Sequence, residues 1–356
     1  MKKRIEYCDA LRFIAIIFVI LIHILADFKL SYLDTNKYAS YIILSFFDSI
    51  TRLAVPIFFM LTGVFMLRSK KEEKYSEFLK KRVSKLVIPF FLLSILYYVY
   101  FGLKNGTGLS VFQFFNAFTS NQIVYHFWFM YQIILIYLLI PFLRKLVQNL
   151  KKEELMTLIL VIFSANVLSI ITNISLKYDY NLLASFVYPS ILRYMNYLFL
   201  GYYLYHYQIE KKYRMKLYLF AILSFFIMTA LDFFVTMDVK GDAFYLGDSA
   251  FPFITSTALF VLLKENYHKF KISSAFSKFL TITSSLIFYI YMIHVLVLEY
   301  VRKFLFKFFA PNSFTTTCIF MFFEFLITFV ISYILAYILN YLYSKVEKKL
   351  FQKNLA

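Results

Sequence analysis

The chain has 356 residues, of which 61% are hydrophobic and 16% charged, and its formal net charge is +18. Soluble domains are about 45–50% apolar and about 25% charged, so this composition excludes a soluble enzyme and a disordered chain. Two cysteines, Cys8 and Cys318, exclude a disulfide scaffold. The apolar residues form runs near the ~20 needed to cross a membrane as a helix, without the alternation of a β-barrel. The sequence therefore predicts an all-α polytopic membrane protein.

Ten membrane-spanning helices are predicted in chain order. They cover residues 10–30, 41–67, 86–102, 125–146, 155–173, 191–209, 217–236, 250–264, 281–301 and 315–343. Residues 103–124, between the third and fourth spans, are expected to lie at the membrane interface or to re-enter the membrane. The first span has no small-residue cleavage site after it and is expected to be retained.

The basic residues predict the orientation of these helices. With the N-terminus in the cytoplasm, most of the 38 Lys and Arg residues fall on the cytoplasmic side, and Lys29 and Arg302 are among the few assigned to the outer side. The charge therefore indicates membrane topology rather than nucleic-acid binding. We expect both termini in the cytoplasm, one transmembrane domain over residues 1–345, and a short basic tail over 346–356.

Ionisable side chains within spans are costly in lipid and therefore mark candidate functional sites. The predicted spans contain Asp9, Arg12, His23, Asp27, Asp48, Arg52, Asp232, His294 and Glu324, and His126 lies at the start of the fourth span.

Asp9, Arg12, His23 and Asp27 belong to the first span, and the last three define a candidate site. Arg12 and His23 are eleven positions apart, which is about three helical turns, so both project from one face and are separated by roughly 16 Å along the axis. Histidine suits proton transfer near neutral pH, and Asp27, one turn further on, is placed to orient its imidazole. The alternative is a packing histidine bonded to a backbone carbonyl.

The other intramembrane groups have structural interpretations. Asp48 and Arg52 are one turn apart and predict a self-neutralising ion pair. His294 is interpreted as a hydrogen-bonded core residue, and Asp232 and Glu324 require partners on other helices.

The basic stretch 68–85 has two interpretations. It is either a solvated loop that sets topology or a binding site for the phosphates of a nucleotide-containing cofactor, with Arg82 and Lys85 entering the third span together. There is no Walker loop, dinucleotide glycine fingerprint or Cys/His metal spacing, so the sequence supports no ATPase, dehydrogenase or metal site.

Four motifs occur in order along the chain. An Asp-x-x-Arg element ends at Arg12 and is followed, after ten residues, by His23; the second span reads Arg-Leu-Ala-Val-Pro-Ile-Phe-Phe-Met-Leu-Thr-Gly at 52–63. The fourth span contains His-Phe-Trp followed by Tyr and Pro within 126–141, and the ninth reads Tyr-Ile-Tyr-Met-Ile-His at 289–294. This ordered set resembles the acyltransferase-3 family of integral membrane O-acyltransferases, in its single-domain subgroup.

The resemblance implies a function and a location. It implies a bacterial inner-membrane enzyme, embedded in membrane lipid, that moves an acyl group, most simply acetyl, from acyl-CoA to a hydroxyl of a cell-surface glycan or its lipid-linked precursor. Acyl-CoA would be a co-substrate, with no permanently bound cofactor. The sequence does not set the oligomeric state.

The resemblance also implies roles for individual residues. His23 would be the general base, Asp27 its orienting group, and Arg52, Tyr291 or His294 would meet the oxyanion of the thioester. Arg12, Arg82 and Lys85 would hold the phosphates of CoA, and Trp128 and Tyr291 would contact substrate. The family often has Arg-x-x-Arg where this chain has Arg82-Val-Ser-Lys85, and lysine lacks the bidentate guanidinium.

Two alternatives remain at this stage. The first is a non-catalytic translocator of a polysaccharide or lipid-linked sugar, because aromatic spans suit sugar stacking and intramembrane polar residues suit a transport path. The second is an O-acyltransferase that acts on a small molecule such as an antibiotic or a lipid. A carrier has no need of a base on the Arg12–His23 face, which favours an enzyme.

Overall fold

The structure is a computed structural model that describes residues 4–69, 73–177, 190–239 and 250–349, and no side chain is described for 169–177, 190 or 235–239. Throughout these ranges the regular secondary structure is helical, as predicted. The helices are α1 Glu6–Asp34, α2 Tyr38–Thr51, α3 Ala54–Met66, α4 Tyr75–Arg82, α5 Ile88–Asn105, α6 Val111–Thr119, α7 Trp128–Asn149, α8 Lys152–Lys177, α9 Ser190–His206, α10 Lys211–Val239, α11 Ala250–Asn266, α12 Ser274–Phe308 and α13 Phe314–Glu347.

The chain divides into two compact units. The first unit comprises Met1–Phe65 and Leu150–Ala336, and the second comprises Met66–Asn149 and Tyr337–Ala356. Several basic residues used to predict topology lie outside the described residues, as does most of the tail. These are Lys2, Lys3, Lys70, Lys71, Lys240 and Lys353. One transmembrane domain over 1–345 therefore stays a prediction.

Seven segments of the described chain are long and apolar enough to cross a membrane. They are Glu6–Asp34, Tyr38–Met66, Tyr75–Asn105, Tyr125–Asn149, Lys211–Phe234, Ser274–Phe308 and Phe314–Glu347. The other three predicted spans coincide with α8, α9 and α11, each of which has one end at the border of a stretch outside the described residues. The total of ten spans and the position of the termini stay predictions.

The second predicted span contains a break. α2 ends at Thr51 and α3 begins at Ala54, so Arg52 lies at the junction. Proline has no N–H, so Pro56 cannot donate to the carbonyl of Arg52, whereas its fixed φ is compatible with the first turn of a helix. The break therefore places Arg52 at a helix end, from which its guanidinium reaches back to α2.

Helix packing in the first unit includes one very close approach. A Cβ atom added to Gly63 on α3 would lie 2.0 Å from the carbonyl oxygen of Leu198, and one added to Gly201 on α9 would lie 2.0 Å from that of Met60. Glycine at both positions allows the two backbones to meet, as in small-residue contacts between membrane helices.

The predicted interfacial segment 103–124 contains α6 in the second unit. Phe114 packs against Phe91 and Tyr98 of α5, whereas Phe112 on the opposite side of α6 is 81% exposed. α6 is thus amphipathic, which is the property that an interfacial helix needs.

Candidate active site

Two histidines that are distant in sequence meet inside the first unit. The ring of His23 on α1 faces that of His294 on α12, with centroids 5.2 Å apart and planes inclined by 32°. His294 is fully buried, and its Nδ1 lies 2.6 Å from the carbonyl oxygen of Tyr291. A carbonyl can only accept, so we assign the proton to Nδ1, which leaves a lone pair on Nε2 when the ring is neutral. His294 is therefore hydrogen-bonded, as interpreted from sequence, and also contacts the candidate base.

Arg12 lies near the N-terminal end of α1, which is an unbroken helix through His23, so the predicted axial separation of roughly 16 Å holds. Its Nη1 donates to Ser284 Oγ on α12 at 2.9 Å and to Asp9 Oδ1 at 3.1 Å. Its guanidinium carbon lies 4.2 Å from the centroid of the Phe65 ring. Arg12 is thus a fixed cation with one carboxylate partner, and its guanidinium has several donors to share with an anion.

The predicted pair of Asp48 and Arg52 is confirmed. Arg52 Nε donates to Asp48 Oδ1 at 3.1 Å and Nη2 donates to Oδ2 at 3.0 Å, which is a bidentate arrangement. Because Asp48 is fully buried, this carboxylate fixes the direction in which the Arg52 guanidinium points.

Lys29, which the charge count placed on the outer side, is not part of a solvated loop, because its side chain is buried and only 1% exposed. Its Nζ lies 3.1 Å from Asp48 Oδ2 and 3.5 Å from Asp232 Oδ2. Asp232 also accepts hydrogen bonds from Tyr41 at 2.7 Å and from Ser45 at 2.8 Å. These contacts supply the partner of Asp232 that sequence could not assign.

A buried charge group is thereby defined by Lys29, Asp48, Arg52 and Asp232. Two cations face two carboxylates, so the group is formally neutral. Such compensation is what the interior of a membrane protein requires, because an uncompensated charge there is costly.

Asp27 was expected to orient His23, but its carboxylate bonds Arg302 instead, and its side chain is 62% exposed. Arg302 was assigned to an outer loop beyond the ninth span. It lies within α12, which continues to Phe308, and its Nε also donates to the buried carboxylate of Glu324. Arg302 is therefore the partner of Glu324, and Asp27 stabilises Arg302 in the structure.

Two arginines are held by carboxylates: Arg52 by Asp48, and Arg302 by Asp27 and Glu324. Arg302 follows His294 by about two turns of α12, and its partner Asp27 follows His23 by one turn of α1, so this ion pair lies near the histidine pair. A proton acceptor beside fixed positive charge is the equipment that acyl transfer to a hydroxyl needs, namely a base and stabilisation of an oxyanion.

Tyr291 contributes through its backbone as well as its ring. Its carbonyl bonds His294, and its buried ring lies 5.8 Å from the imidazole, measured between centroids. The predicted substrate contact of Tyr291 stays a prediction, whereas its positioning of His294 is a property of the structure that sequence did not indicate.

The second unit contains the other predicted cations. Arg82 ends α4, and its guanidinium carbon lies 5.0 Å from the ring centroid of Phe78 and 5.3 Å from that of Tyr137. Its buried Nε has no hydrogen-bond partner among the described residues. Lys85 is exposed in a π-helical turn, Val83–Val87. An anion would satisfy the donor left open on Arg82, which supports the interpretation of this stretch as a phosphate site.

The π-helical turn has a local cause. Pro89 has no N–H to donate to the carbonyl of Lys85, so the α-helical ladder is interrupted at this point. π turns within helices are frequent at functional sites.

Trp128 is the first residue of α7, and its half-buried ring makes an edge contact with Phe129 at 6.3 Å between centroids. His126, two residues before Trp128, is buried against the rings of Tyr97 and Phe127. Substrate contact by Trp128 therefore stays a prediction.

The comparison with protein families shows to which family the chain belongs. A family model described as an acyltransferase domain matches residues 5–341. The chain belongs to the acyltransferase-3 family. The match covers almost the whole chain, confirms the resemblance of the four sequence motifs, and gives a multi-pass membrane acyltransferase as the general activity. No curated protein and no solved structure matches the chain.

Proposed function

We propose that this acyltransferase moves an acetyl group from acetyl-CoA to a hydroxyl of a cell-surface glycan, or of its lipid-linked precursor, in the bacterial inner membrane. The observation that carries the proposal is the contact between the rings of His23 and His294, each of which is followed on its own helix by a member of the Asp27–Arg302 ion pair. This arrangement supplies a base with a tethered cation near it.

The reaction assigns a task to each group. The hydroxyl oxygen attacks the thioester carbonyl while His23 accepts the hydroxyl proton. The new C–O bond forms, the C–S bond breaks, and the CoA thiolate leaves and takes the proton back from His23, which regenerates the base. Charge that develops on the carbonyl oxygen is stabilised by a guanidinium, and Arg52 is the better fixed of the two because its bidentate partner is fully buried. His294, which is hydrogen-bonded to the Tyr291 carbonyl, packs against the imidazole of His23 and holds it in position.

The donor is expected to enter at the Arg12 end of α1. Arg12 binds a phosphate of CoA, and the roughly 16 Å between Arg12 and His23 is similar to the reach of an extended pantetheine arm. Within the second unit, the open Nε donor of Arg82 supports its own predicted role as a phosphate contact, together with the charge of Lys85. With both termini in the cytoplasm, the thioester would be presented towards the outer half of the membrane.

The test is acyl transfer by purified protein in lipid nanodiscs, measured as release of free CoA thiol from acetyl-CoA on addition of an envelope glycan extract. We expect His23→Gln to lower turnover by about 10²–10⁴-fold, the usual contribution of a general base, with acetyl-CoA affinity retained. His268→Gln is the matched control, because His268 is exposed in a short turn after α11.

Two outcomes would count against the proposal. Turnover of well-folded His23→Gln protein close to that of the wild type would remove His23 as the base. Wild-type protein that moves labelled glycan across a vesicle membrane without releasing CoA thiol would instead identify a translocator.

A further inference from the structure

An open cavity of about 440 Å³, with both polar and apolar groups in its lining, lies at one end of the first unit, where α1 and α12 end and α13 begins. It is lined by three chain segments, 27–37, 302–306 and 311–317. One wall is fixed by a buried hydrogen bond of 2.7 Å between the hydroxyls of Tyr32 on α1 and Thr317 on α13. Its volume falls within the range of small-ligand pockets, and a tied wall of this kind is the mark of a pre-formed site.

The lining combines two kinds of surface. Hydrogen-bonding groups from Ser31, Thr35 and Asn312 alternate with the aromatic rings of Phe28 and Phe306. The Ser31 and Thr35 hydroxyls donate to backbone carbonyls of α1, so their oxygens can accept from a ligand, whereas the amide nitrogen of Asn312 can donate to one. Acceptors and a donor together match a ligand that carries several hydroxyls. Aromatic faces match the apolar C–H face of such a ligand. The combination is the chemistry of a sugar-binding site.

The charges of the lining also favour a largely neutral ligand. Asp27 and Arg302 form an ion pair in the cavity wall and compensate each other. The ammonium group of Lys37 adds one positive charge and lies 5.8 Å from the centroid of the Tyr32 ring. A highly charged nucleotide would find little compensating charge here, whereas the hydroxyls of a sugar meet partners of both kinds.

The ion pair in the cavity wall lies close to the histidine pair along both helices. Asp27 follows His23 by one turn of α1, a rise of roughly 6 Å, and Arg302 follows His294 by about two turns of α12. Groups that line the cavity are therefore neighbours of the candidate base.

We propose that this cavity is the acceptor site, and that it holds a sugar residue with one hydroxyl directed towards His23. The proposal rests on the proposed function, because it assigns the glycan acceptor of that reaction to a place. The ligand chemistry is a set of sugar hydroxyls, supplied either by a soluble oligosaccharide or by a sugar carried on a lipid.

The test is a cavity-filling substitution with a matched control. Ser31 is exposed and faces the cavity, so Ser31→Trp places an indole ring in it. Leu30 precedes Ser31 on α1, is 43% exposed and does not line the cavity, so Leu30→Trp introduces the same ring elsewhere. Asn312→Ala removes one lining amide without adding bulk. It is the second test variant if Ser31→Trp prevents folding.

The measurement is binding of envelope oligosaccharides, labelled at the reducing end, to full-length protein in nanodiscs without acetyl-CoA. We expect a loss of affinity of at least tenfold for Ser31→Trp, about two- to tenfold for Asn312→Ala, which loses a neutral hydrogen bond, and none for Leu30→Trp. A second arm replaces the soluble probe with the same sugars on a lipid carrier incorporated in the nanodisc. If the cavity variants lose affinity only for the lipid-linked sugar, the lipid-linked form is the ligand.

Glycan binding that is unchanged in both cavity variants, or a wild-type protein that binds neither probe, would overturn the assignment of the cavity. CoA release measured in parallel separates this result from failure of the proposed function. Transfer that proceeds with unaltered acceptor KM in Ser31→Trp refutes the cavity alone. Glycan binding that is lost in Ser31→Trp, in a wild-type protein that never releases CoA, supports the cavity and refutes the acyl transfer.

Discussion

Replacing Lys29 with methionine removes one cation from the buried charge group while keeping an unbranched side chain of similar length. The Lys29 ammonium contacts both Asp48 and Asp232 and is 1% exposed. Its loss changes the formal charge of the group from zero to −1 in a region shielded from water. Removing one partner of a buried pair costs about 3–5 kcal/mol. At about 1.4 kcal/mol per factor of ten, this corresponds to roughly 10²–10⁴-fold in the folded-to-unfolded ratio.

The assay is the half-life of the folded protein in nanodiscs at a fixed elevated temperature, because membrane proteins of this size often unfold irreversibly. Lys29→Met should shorten the half-life strongly, whereas Lys307→Met, at an exposed lysine of α12, should not. Combining Lys29→Met with Asp232→Asn restores neutrality, since the pair of Asp48 and Arg52 remains. The double variant should therefore outlast Lys29→Met alone.

The comparison of single and double variants decides whether charge compensation is the cause. If the effects of Lys29→Met and Asp232→Asn simply add, the two side chains contribute independently and the reasoning fails. A double variant that is more stable than Lys29→Met can be explained only by coupling between them.

Three further results are expected. Gly63→Ala and Gly201→Ala should each lower the yield of folded protein, because the added methyl group meets a backbone carbonyl at 2.0 Å and the helices must separate; normal thermal stability of both variants would refute this. Arg82→Ala should weaken acetyl-CoA binding by about ten- to a hundredfold, the value of a charge-assisted hydrogen bond, and Lys85→Arg should be tolerated; unchanged affinity in Arg82→Ala would assign the basic stretch to topology. A cysteine introduced at Lys345 should resist a membrane-impermeant thiol reagent in intact cells, and labelling would place the C-terminal end of α13 outside.

The helical fold was predictable from the sequence because a membrane span is defined by its own composition. Long apolar stretches such as Ser274–Phe308 satisfy the length requirement wherever they occur in the chain. The same argument cannot be completed for α9 and α11, because each begins at the border of a stretch outside the described residues.

The candidate site was predictable only where its residues share one helix. The relation of Arg12 to His23, and that of Asp48 to Arg52, follows from helical periodicity. The contact of His23 with His294 depends on how α1 packs against α12, which no local pattern contains. A count of basic residues treats every cation near a span end as part of a loop, whereas Lys29 and Arg302 are paired with carboxylates of the helices. Their partners Asp232 and Glu324 lie on other helices, so no local sequence pattern indicates these pairs.

The buried charge group has a consequence for the order in which the protein is made. Lys29 and Asp48 emerge early, on α1 and α2, whereas Asp232 on α10 follows Ser45, its hydrogen-bond donor, by 187 residues. At about 5–20 residues per second, the ribosome needs roughly 10–40 s to cover that distance. Throughout this interval the nascent hairpin of α1 and α2 carries Lys29 and Arg52 against one carboxylate, an excess charge that membrane lipid disfavours. The arrival of α10 cancels the excess, so electrostatic attraction draws this late, largely lipid-facing helix to its place beside α2.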